Sequence, residues 1–410
     1  MLQAVSHSKK KVSIEVLVLR GGGGHYATYN ALRAVIQQQK LPWELNVIYA
    51  DAIAKSLKEQ SKALDISQLL GTISDKFYDY IQKNGWGWIH LLTIHLHKLL
   101  IRLKHNLDVS LLESHWREQQ PDLVISVVPF HDKALWESLQ KAKLDTPVVT
   151  ILTDFADCPP AYWIEPKTKN YLVCGTQKAV EQARDLGVDR EHIIKTSGLV
   201  IHPRFYQPIL CGLSEAEALR ERRLERQRLG LDPDCMTGLV LFGANGSKVM
   251  LNIAKRLECF QDRLQLIFLC GRNEKVALSL REHKSIQKRL VVTFTENIPY
   301  YMHLADFFIG KPGNVSISEA LVMNLPVIVE RNFLTLPQER YAADWIQERE
   351  VGITIPSFRN IRQAVEKLIE PKNFARYRAN AAAINNRAVF EIPDILNKVM
   401  TPKERPQILI

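Results

Sequence analysis

The stretch Leu17-Val18-Leu19-Arg20-Gly21-Gly22-Gly23-Gly24-His25 determines how the rest of the sequence is interpreted. It closes a short segment, residues 13–19, that is rich in Val, Ile and Leu and bounded by glycines, as buried strands are. Apolar residues then recur at helical spacing, which predicts a helix over residues 26–39. Because strand, glycine turn and helix open a doubly wound α/β domain, we expect a ligand at the carboxyl end of this strand.

The glycine turn itself suits close contact with a ligand. Glycine lets the backbone approach a bound molecule, and the following helix start offers free N–H groups to an anion or a polarised oxygen. His25 stands at the rim of this turn. We therefore interpret the turn as half of an active site, in which Gly22, Gly23 and Gly24 bind the ligand and His25 acts on it. A capping or turn histidine is the plainer alternative.

The same turn also fits a different class of enzyme. Gly22, Gly24 and Ala27 match the pattern G-x-G-x-x-A, and Asp51 follows the next expected strand, residues 45–50. A dinucleotide-binding fold places a ribose-binding acid at such a position. A dinucleotide-dependent oxidoreductase is therefore an alternative that the turn alone leaves open.

Length and composition limit the partners and the compartment. The 410 residues suffice for two or three domains, and the formal net charge of +10 favours a polyanion, either nucleic acid or an anionic membrane surface. Because the sequence has no RNA-binding motif and no zinc-finger spacing, we expect no nucleic acid and favour the membrane. Cysteines without CxxC pairs suit a reducing compartment. The sequence lacks an apolar run long enough for a bilayer span or a signal peptide, so we expect a cytoplasmic protein, peripheral on the inner face of a membrane.

Buried strands alternate with helices along the chain, which predicts parallel sheets with helices on both faces. In the first half, strands are expected at residues 13–19, 45–50, 123–128, 147–152, 171–174 and 192–196. Residues 198–208 hold two prolines and are interpreted as a linker. Strands resume at residues 238–242, 264–270, 291–294, 306–309 and 325–329. We predict an N-terminal domain (residues 1–205), a second α/β domain (residues 206–375) and a helical tail (residues 376–410) that can pack back on the N-terminal domain.

Residues 86–107 form a basic amphipathic segment. Trp86 and Trp88 lead into a run in which Ile and Leu recur at helical spacing along one face up to Leu103, with His, Thr and Lys on another. Such a composition is typical of a helix at a membrane interface, and it makes the two tryptophans candidate acceptor-side residues. A domain helix whose apolar face meets the core is the alternative.

The second half carries its own anion-binding patterns. Residues 243–247 form a short glycine turn at an expected helix start, which suits a phosphate through backbone N–H groups and the Ser247 hydroxyl. A second glycine turn, residues 310–319, places Glu319 one turn inside a helix, where its carboxylate can accept hydrogen bonds from both hydroxyls of a ribose. Gln338 and Glu339 offer acceptors and an amide that suit a hexose. Each piece alone is an ordinary turn, but their recurrence at strand ends of one sheet favours a shared ligand.

Several of these motifs occur in an order that carries a family resemblance. The stretches Cys270-Gly271-Arg272-Asn273 and Lys311-Pro312-Gly313 through Ser318-Glu319-Ala320-Leu321 are the most specific. Together with the first glycine turn, the Thr153-Asp154 pair and Pro337-Gln338-Glu339, they resemble the diacylglycerol glycosyltransferases of plants and bacteria, which include monogalactosyldiacylglycerol synthases and processive glucosyltransferases. More distantly, the pattern is similar to the peptidoglycan N-acetylglucosaminyltransferase that makes lipid II. The resemblance spans residues 12–375.

The resemblance implies the GT-B fold, in which two doubly wound Rossmann-like domains face each other across a cleft. It implies an inverting transfer from a UDP-sugar to a lipid acceptor, with the UDP-sugar as substrate and no metal or other cofactor. His25 would be the general base or its close partner, and Asp154 an acceptor-side polar group. The implied donor-binding residues are Gly243, Asn245, Gly246, Ser247, Arg272, Gly313, Asn314, Ser316, Glu319, Gln338 and Glu339. Among them, residues 243–247 would face the pyrophosphate, Arg272 the uracil end, Glu319 the ribose, and the last two the sugar.

The chain departs from the family pattern in places. Cys158-Pro159-Pro160 stands where galactolipid synthases carry Cys-His-Pro, so an acceptor-side histidine is missing. Asn314-Val315 replaces the usual residues after the Pro-Gly turn, which can alter donor preference. Asp232-Pro233-Asp234 is interpreted as a turn and not as a metal site. A UDP-sugar epimerase of the same architecture and an inactive relative that binds lipid or a protein therefore remain alternatives.

Overall fold

The computed structural model describes residues 11–19, 23–50, 87–206 and 214–401, with the backbone alone over residues 87–100. Within these ranges the chain forms two lobes, and each lobe is built on a six-stranded sheet. Every pair of neighbouring strands is parallel. Apolar clusters cover both faces of each sheet, which is why the strands are near-continuous apolar runs.

The N-terminal lobe contains the first glycine turn. Its strands are β1 (Val12–Val18), β2 (Trp43–Tyr49), β3 (Leu123–Ser126), β4 (Val148–Ile151), β5 (Tyr171–Cys174) and β6 (Ile193–Lys195). Its helices are α1 (Gly23–Gln38), α2 (Gly87–Gln119), α3 (Asp132–Ala142) and α4 (Gln177–Asp185). The strand order is β2-β1-β3-β4-β5-β6. The order therefore reverses between β1 and β3.

The C-terminal lobe repeats this plan. Its strands are β7 (Met236–Leu241), β8 (Leu264–Leu269), β9 (Arg289–Val292), β10 (Phe307–Gly310), β11 (Val327–Glu330) and β12 (Gly352–Ile355). Its helices are α5 (Glu215–Arg228), α6 (Val249–Leu257), α7 (Glu274–Glu282), α8 (Ile298–Leu304), α9 (Asn314–Val322), α10 (Pro337–Glu348), α11 (Ile361–Ile369) and α12 (Pro371–Ala383). The strand order β12-β11-β10-β7-β8-β9 reverses between β7 and β10.

These two reversals place the candidate loops. In open α/β sheets, ligands bind outside the carboxyl ends of the strands at the point where the strand order reverses. His25 follows β1 and Val127 follows β3, so both lie at the reversal point of the first sheet. The turns at residues 243–247 and 310–314 follow β7 and β10, at the reversal point of the second sheet.

The two-sheet fold predicted from the sequence is confirmed, with a few differences in the elements. Helix α1 begins at Gly23, inside the glycine turn and earlier than expected. Strand β12 was not predicted, because it has only four residues and begins with a glycine that weakens the strand pattern. The helix expected from residue 51 lies outside the described residues.

The last helix, α13 (Ala388–Met400), is buried in the N-terminal lobe. Val389, Ile392 and Leu396 join the apolar cluster that packs against α1. Just before it, the Asn386 side-chain amide donates to the carbonyl oxygen of Leu199 at 2.9 Å. Among the described residues, the chain therefore leaves the N-terminal lobe near Tyr206 and returns to it between α12 and α13.

The described side chains of helix α2 differ in burial along the helix. Val109, Leu112 and Trp116 are buried in the core. Leu103, the last residue of the apolar face predicted from the sequence, is 74% exposed, and Leu107, one turn further on, is 45% exposed. The described part of the chain contains no helix that is both long and apolar enough to cross a membrane.

Candidate functional site

His25 lies in the first turn of α1, and the loop after β3 fixes its ring. Its Nδ1 lies 2.6 Å from the carbonyl oxygen of Val127, so Nδ1 carries the proton and donates it. This tautomer leaves a lone pair on Nε2, and no described residue hydrogen-bonds that atom. Desolvation lowers the pKa of His25 to about 4, against the opposing effect of the Val127 carbonyl. The side chain is therefore a neutral imidazole near pH 7.

We expect His25 to stay neutral far below the usual range for a histidine. Its ring signals in an NMR titration should move only as the pH falls through about 4, rather than through the ordinary value of 6.5. In the unfolded chain the His25 imidazole is protonated below about 6.5, whereas in the folded protein it is protonated only below about 4. The free energy of unfolding therefore decreases as the pH falls from 6.5 to about 4. The signal is assigned by its loss in His25→Asn, and a midpoint near 6.5 would contradict the neutral ring.

Asp154 follows β4 and is buried with two donors on its carboxylate. The Trp163 indole N–H donates to Oδ2 at 2.8 Å, and the Asn314 amide donates to Oδ1 at 2.6 Å. Desolvation raises the pKa of Asp154 to about 7; the nearby Glu339 carboxylate raises it further, while both donors act in the opposite direction. Asp154 is therefore divided between its two protonation states near neutral pH.

A turn built on Asp157 presents Trp163 to the site. The Asp157 carboxylate accepts the backbone N–H groups of residues 161–163 at 2.7, 2.9 and 2.6 Å. Trp163 is fully buried, and its ring centroid lies 5.9 Å from that of His25. One indole therefore contacts both His25 and Asp154.

Asn314, the first residue of α9, bridges the two lobes. Besides its hydrogen bond to Asp154, its amide donates to the backbone oxygen of Gln338 at 3.3 Å. Its Oδ1 accepts the backbone N–H of Phe155 at 3.4 Å. The side chain thus links the candidate catalytic side of the N-terminal lobe to the loop that carries Gln338. A role in binding the donor stays a prediction.

Two further contacts lie beside this bridge. A Cβ added to Gly24 would lie 3.2 Å from Cγ2 of Val315, whereas one added to Gly23 would meet no atom within 4 Å. The rings of Phe155 and Trp345 lie 4.8 Å apart between centroids. The first glycine turn therefore has one position in contact with the opposite lobe and one open position.

The turns after β7 and β8 interlock through their backbones. Gly246 has φ +56, and a Cβ there would lie 2.3 Å from the carbonyl oxygen of Cys270. Gly271 has φ +57, and its Cβ would lie 2.1 Å from the carbonyl oxygen of Ala244. Because only glycine fits both positions, the two turns form a rigid floor at the carboxyl edge of the sheet, which we call the glycine floor (residues 243–247 and 270–273).

Other predicted donor-side residues complete the glycine floor. Gly243 begins it with φ +72. The Asn273 amide donates to the backbone oxygen of Asn245 at 3.3 Å, and Ser247 Oγ accepts the N–H of Val249 at 3.3 Å where α6 begins. This helix start offers further N–H groups to an anion.

Arg272 stands beside an aromatic ring. Its guanidinium carbon lies 5.0 Å from the ring centroid of Phe294, which is 49% exposed. The backbone N–H of Arg272 donates to Ala244 at 2.8 Å, which fixes it to the glycine floor. A planar cation over an exposed ring forms a surface on which a planar ligand group can stack.

Lys311 is a site residue that the sequence analysis did not select. Its Nζ lies 3.0 Å from Oε1 of Glu339, and its Cε lies 3.9 Å from a Cβ added to Gly243. A half-buried cation therefore stands between the turns after β7 and β10. Its position directly after β10, inside the second glycine turn, was the available signal.

Gln338 carries a buried polar atom at its side-chain amide oxygen. Its Oε1 has no hydrogen-bond partner among the described residues. An unpaired buried acceptor costs about 1–3 kcal/mol, so this oxygen is suited to accept a hydrogen bond from a ligand hydroxyl.

Glu319 lies one turn inside α9 and is half-buried. No described residue hydrogen-bonds its carboxylate, whose pKa desolvation raises to about 8 against the charge of Arg204. Two donors from a diol would satisfy both oxygens. In the preceding turn, the Ser316 hydroxyl donates to the carbonyl oxygen of Gly313 at 3.0 Å, so this hydroxyl is engaged by the backbone.

The remaining predicted residues fall elsewhere. Gly22 and Trp86 lie outside the described residues, and of Trp88 only the backbone is described, in α2. Asp232 accepts the N–H of Asp234 at 3.0 Å, as in a turn. Over the residues that the structure describes, no group of three or more His, Cys, Asp or Glu side chains is arranged to hold a metal ion.

Family models match both lobes. Residues 25–201 match the model described as monogalactosyldiacylglycerol (MGDG) synthase, and residues 239–330 match the glycosyltransferase family 28 C-terminal domain. The chain therefore carries glycosyltransferase domains, and the enzyme class expected from the sequence is confirmed.

Curated relatives agree with this assignment. The processive diacylglycerol beta-glucosyltransferase of Bacillus subtilis (strain 168) is 25% identical over 302 residues, which cover 71% of this chain and 73% of the relative. The chloroplastic monogalactosyldiacylglycerol synthase 2 of Arabidopsis thaliana is 24% identical over 372 residues, which cover 84% of this chain and 71% of the relative. The family resemblance found in the sequence is thus confirmed.

Solved structures confirm the GT-B architecture. MnaA of S. aureus, in a co-structure with UDP, is 14% identical with a TM-score of 0.57, over 97% of this chain and 100% of that one. MurG of Acinetobacter baumannii is 11% identical with a TM-score of 0.57, over 94% and 99%. At these identities the likeness shows the fold.

Proposed function

Because both lobes carry glycosyltransferase domains, we propose that the protein transfers a hexose from a UDP-sugar to the hydroxyl of a lipid acceptor at a membrane surface. The acceptor is diacylglycerol or a glycolipid, and the transfer inverts the anomeric carbon and needs no metal. The observation that carries the proposal is the pairing of two opposed sites. A neutral imidazole stands at the reversal point of one sheet, and the glycine floor begins at that of the other. The loop after β11 adds the Gln338 amide oxygen, which no described residue hydrogen-bonds.

In this proposal His25 acts as the general base. Its Nε2 takes the proton of the acceptor hydroxyl while the acceptor oxygen attacks the anomeric carbon and UDP leaves from the opposite face. The Val127 carbonyl keeps the proton on Nδ1 and so keeps Nε2 available. A diphosphate bound opposite the ring raises the pKa of the imidazole from its low value in the free protein, so the base strengthens when the donor is present.

The C-terminal lobe binds the donor in this proposal. The glycine floor and the start of α6 hold the diphosphate, and Lys311 adds a positive charge beside it as UDP departs. Glu319 accepts both ribose hydroxyls, and Gln338 and Glu339 bind hydroxyls of the sugar. The Arg272–Phe294 pair offers its flat surface to the uracil.

The lipid acceptor requires contact with a membrane, and α2 supplies one. The exposed Leu103 and Leu107 form an apolar ridge on a helix that also carries Arg102 and Lys104. Apolar side chains can enter the interface while each near-surface cation adds about 1 kcal/mol of attraction to anionic lipids. This side of the protein is proposed to face the inner surface of the membrane.

Product analysis with defined donors tests the proposed function. The protein is incubated with radiolabelled UDP-glucose, UDP-galactose or UDP-N-acetylglucosamine and with diacylglycerol or total membrane lipid, with and without EDTA. We expect the label to appear in a glycolipid, and NMR of this product to show that the configuration at the anomeric carbon is inverted. The rate of transfer should be the same with and without EDTA. Epimerised UDP-sugar formed without any acceptor would instead indicate an epimerase.

Within this function we propose that Asn314 positions the lobes for transfer. Its amide joins Asp154 in one lobe to the backbone of Gln338 in the other, so it holds the candidate catalytic side next to the sugar-binding loop. A hydrogen bond to a charged carboxylate such as that of Asp154 contributes about 1.5–3 kcal/mol. When transfer requires this contact between the lobes, its loss corresponds to a roughly tenfold to hundredfold decrease in rate.

A double-mutant cycle on Asn314→Ala and Asp154→Ala measures this bridge. We expect each single variant to lower kcat by about 10- to 100-fold, and the double variant to be no slower than the worse single, because both remove the same contact. UDP affinity, measured by calorimetry, should change little in Asn314→Ala; a large loss would indicate direct donor binding instead. The control is Asn380→Ala, because the Asn380 amide donates to the backbone oxygen of Glu350 at 3.0 Å within the C-terminal lobe.

A further inference from the structure

One turn of the C-terminal lobe exposes two adjacent large apolar side chains. In the turn formed by residues 332–335, Phe333 is 69% exposed and Leu334 is 43% exposed. The turn follows β11 and precedes α10, so it lies at the same carboxyl edge of the sheet as the glycine floor. This position places it on the cleft side of the lobe.

Hydrogen bonds from polar neighbours hold this turn in shape. Asn332 Oδ1 accepts the N–H of Leu334 at 2.8 Å, and the Asn332 amide donates to Glu330 at 2.8 Å and to the Pro356 carbonyl at 3.1 Å. Arg340 donates to the carbonyl oxygens of Phe333 and Thr335 at 3.1 and 3.0 Å. The exposed pair is therefore displayed by a turn that several side-chain hydrogen bonds hold in shape.

We propose that the turn at residues 332–335 is a second membrane contact, which inserts Phe333 and Leu334 into the interfacial region of the bilayer that holds the acceptor. The inference rests on the proposed function. The hydroxyl of a lipid acceptor lies at the bilayer interface, and the transferred sugar must reach it. Gln338 follows Phe333 by five residues, a chain length of at most about 18 Å, so a turn close to the bound sugar is also close to the interface.

The turn complements α2 on the other lobe. Leu103 and Leu107 provide apolar contact from the N-terminal lobe, and Phe333 and Leu334 provide it from the C-terminal lobe. Arg331 lies two residues before Phe333 and is 40% exposed, which suits the lipid headgroup region. Its guanidinium also forms an ion pair with Asp344 at 3.0 Å. Contacts from both lobes orient the cleft toward the lipid surface.

Vesicle binding of matched variants tests this inference. The turn variant carries Phe333→Ser and Leu334→Ser, which keep the backbone groups that the turn uses. The control is Ile286→Ser, because Ile286 is 84% exposed but lies between α7 and β9, at the amino edge of the sheet. Binding to sucrose-loaded vesicles of phosphatidylglycerol and phosphatidylcholine is measured by sedimentation without any donor. We expect about tenfold weaker binding of the turn variant and unchanged binding of the control.

Each other outcome contradicts the inference. Wild-type binding by the turn variant, or equal losses in both variants, would show that the exposed pair does not enter the lipid. Altered self-association in light scattering with unchanged vesicle binding would assign the turn to a second copy of the chain. Transfer to acceptor dispersed in detergent is measured separately; its absence in the wild-type protein would remove the proposed function without changing the vesicle result.

Discussion

Replacing His25 with Asn should lower sugar transfer to the lipid acceptor by about 10²- to 10⁴-fold, the range of general-base catalysis, and should leave UDP affinity near that of the wild type. The side-chain amide of Asn can still donate to the Val127 carbonyl, where Nδ1 of His25 donates at 2.6 Å. It has no atom at the position of Nε2. The variant therefore keeps the structural contact and loses the base.

Initial rates with a radiolabelled UDP-sugar measure the loss, and calorimetry with UDP measures donor binding. His283→Gln is the matched control, because His283 makes a comparable short contact, 2.6 Å from Glu258, at the amino edge of the C-terminal sheet. An Asn variant that retains full activity would remove His25 from the mechanism. Equal losses in both variants would point to stability rather than catalysis.

The positions of the candidate loops could be predicted from the sequence because their signals are local. Glycine turns that directly follow apolar strands mark carboxyl ends, and these ends gather at one edge of a parallel sheet. His25, the glycine floor and the turn after β10 all follow from that rule. Glu319 follows as well, since its position one turn into α9 depends only on where the helix begins.

The contacts between distant segments could not be predicted in this way. Asp154 and Asn314 are 160 residues apart, and nothing near either residue indicates that they meet. Trp163 was missed because its indole N–H is directed by the turn built on Asp157, which has no simple spacing rule. The side chain of Asn314, predicted to bind the donor, is engaged by the opposite lobe because the two sheets face each other.

For helix α2, the apolar face could be predicted from the sequence, but its burial could not. Its periodic apolar face was visible in the sequence, but periodicity alone cannot tell which part of that face is covered. In the structure the C-terminal half packs into the core, while Leu103 and Leu107 remain exposed. The core-helix alternative therefore describes the C-terminal half of the helix, and an interfacial role for the exposed part stays a prediction.

Replacing Gly271 with Ala should disrupt the glycine floor and weaken UDP binding by at least about tenfold. The new Cβ would lie 2.1 Å from the Ala244 carbonyl oxygen, a backbone atom that cannot rotate away, and φ at this residue is +57. Strain in the left-handed region costs about 1–2 kcal/mol. Overpacking adds about 1–3 kcal/mol. We therefore expect a loss of about 2–5 kcal/mol in the free energy of unfolding, measured by denaturant unfolding, with UDP binding measured by calorimetry.

Gly230→Ala separates the two causes of this loss. Gly230 also has a positive φ, +76, but a Cβ there would meet no atom within 4 Å, so only the backbone strain of about 1–2 kcal/mol is expected and UDP should bind as in the wild type. The difference between the variants then measures the close approach of the turns after β7 and β8. If Gly271→Ala matched Gly230→Ala in both stability and UDP affinity, the interlocked floor would not be the donor site.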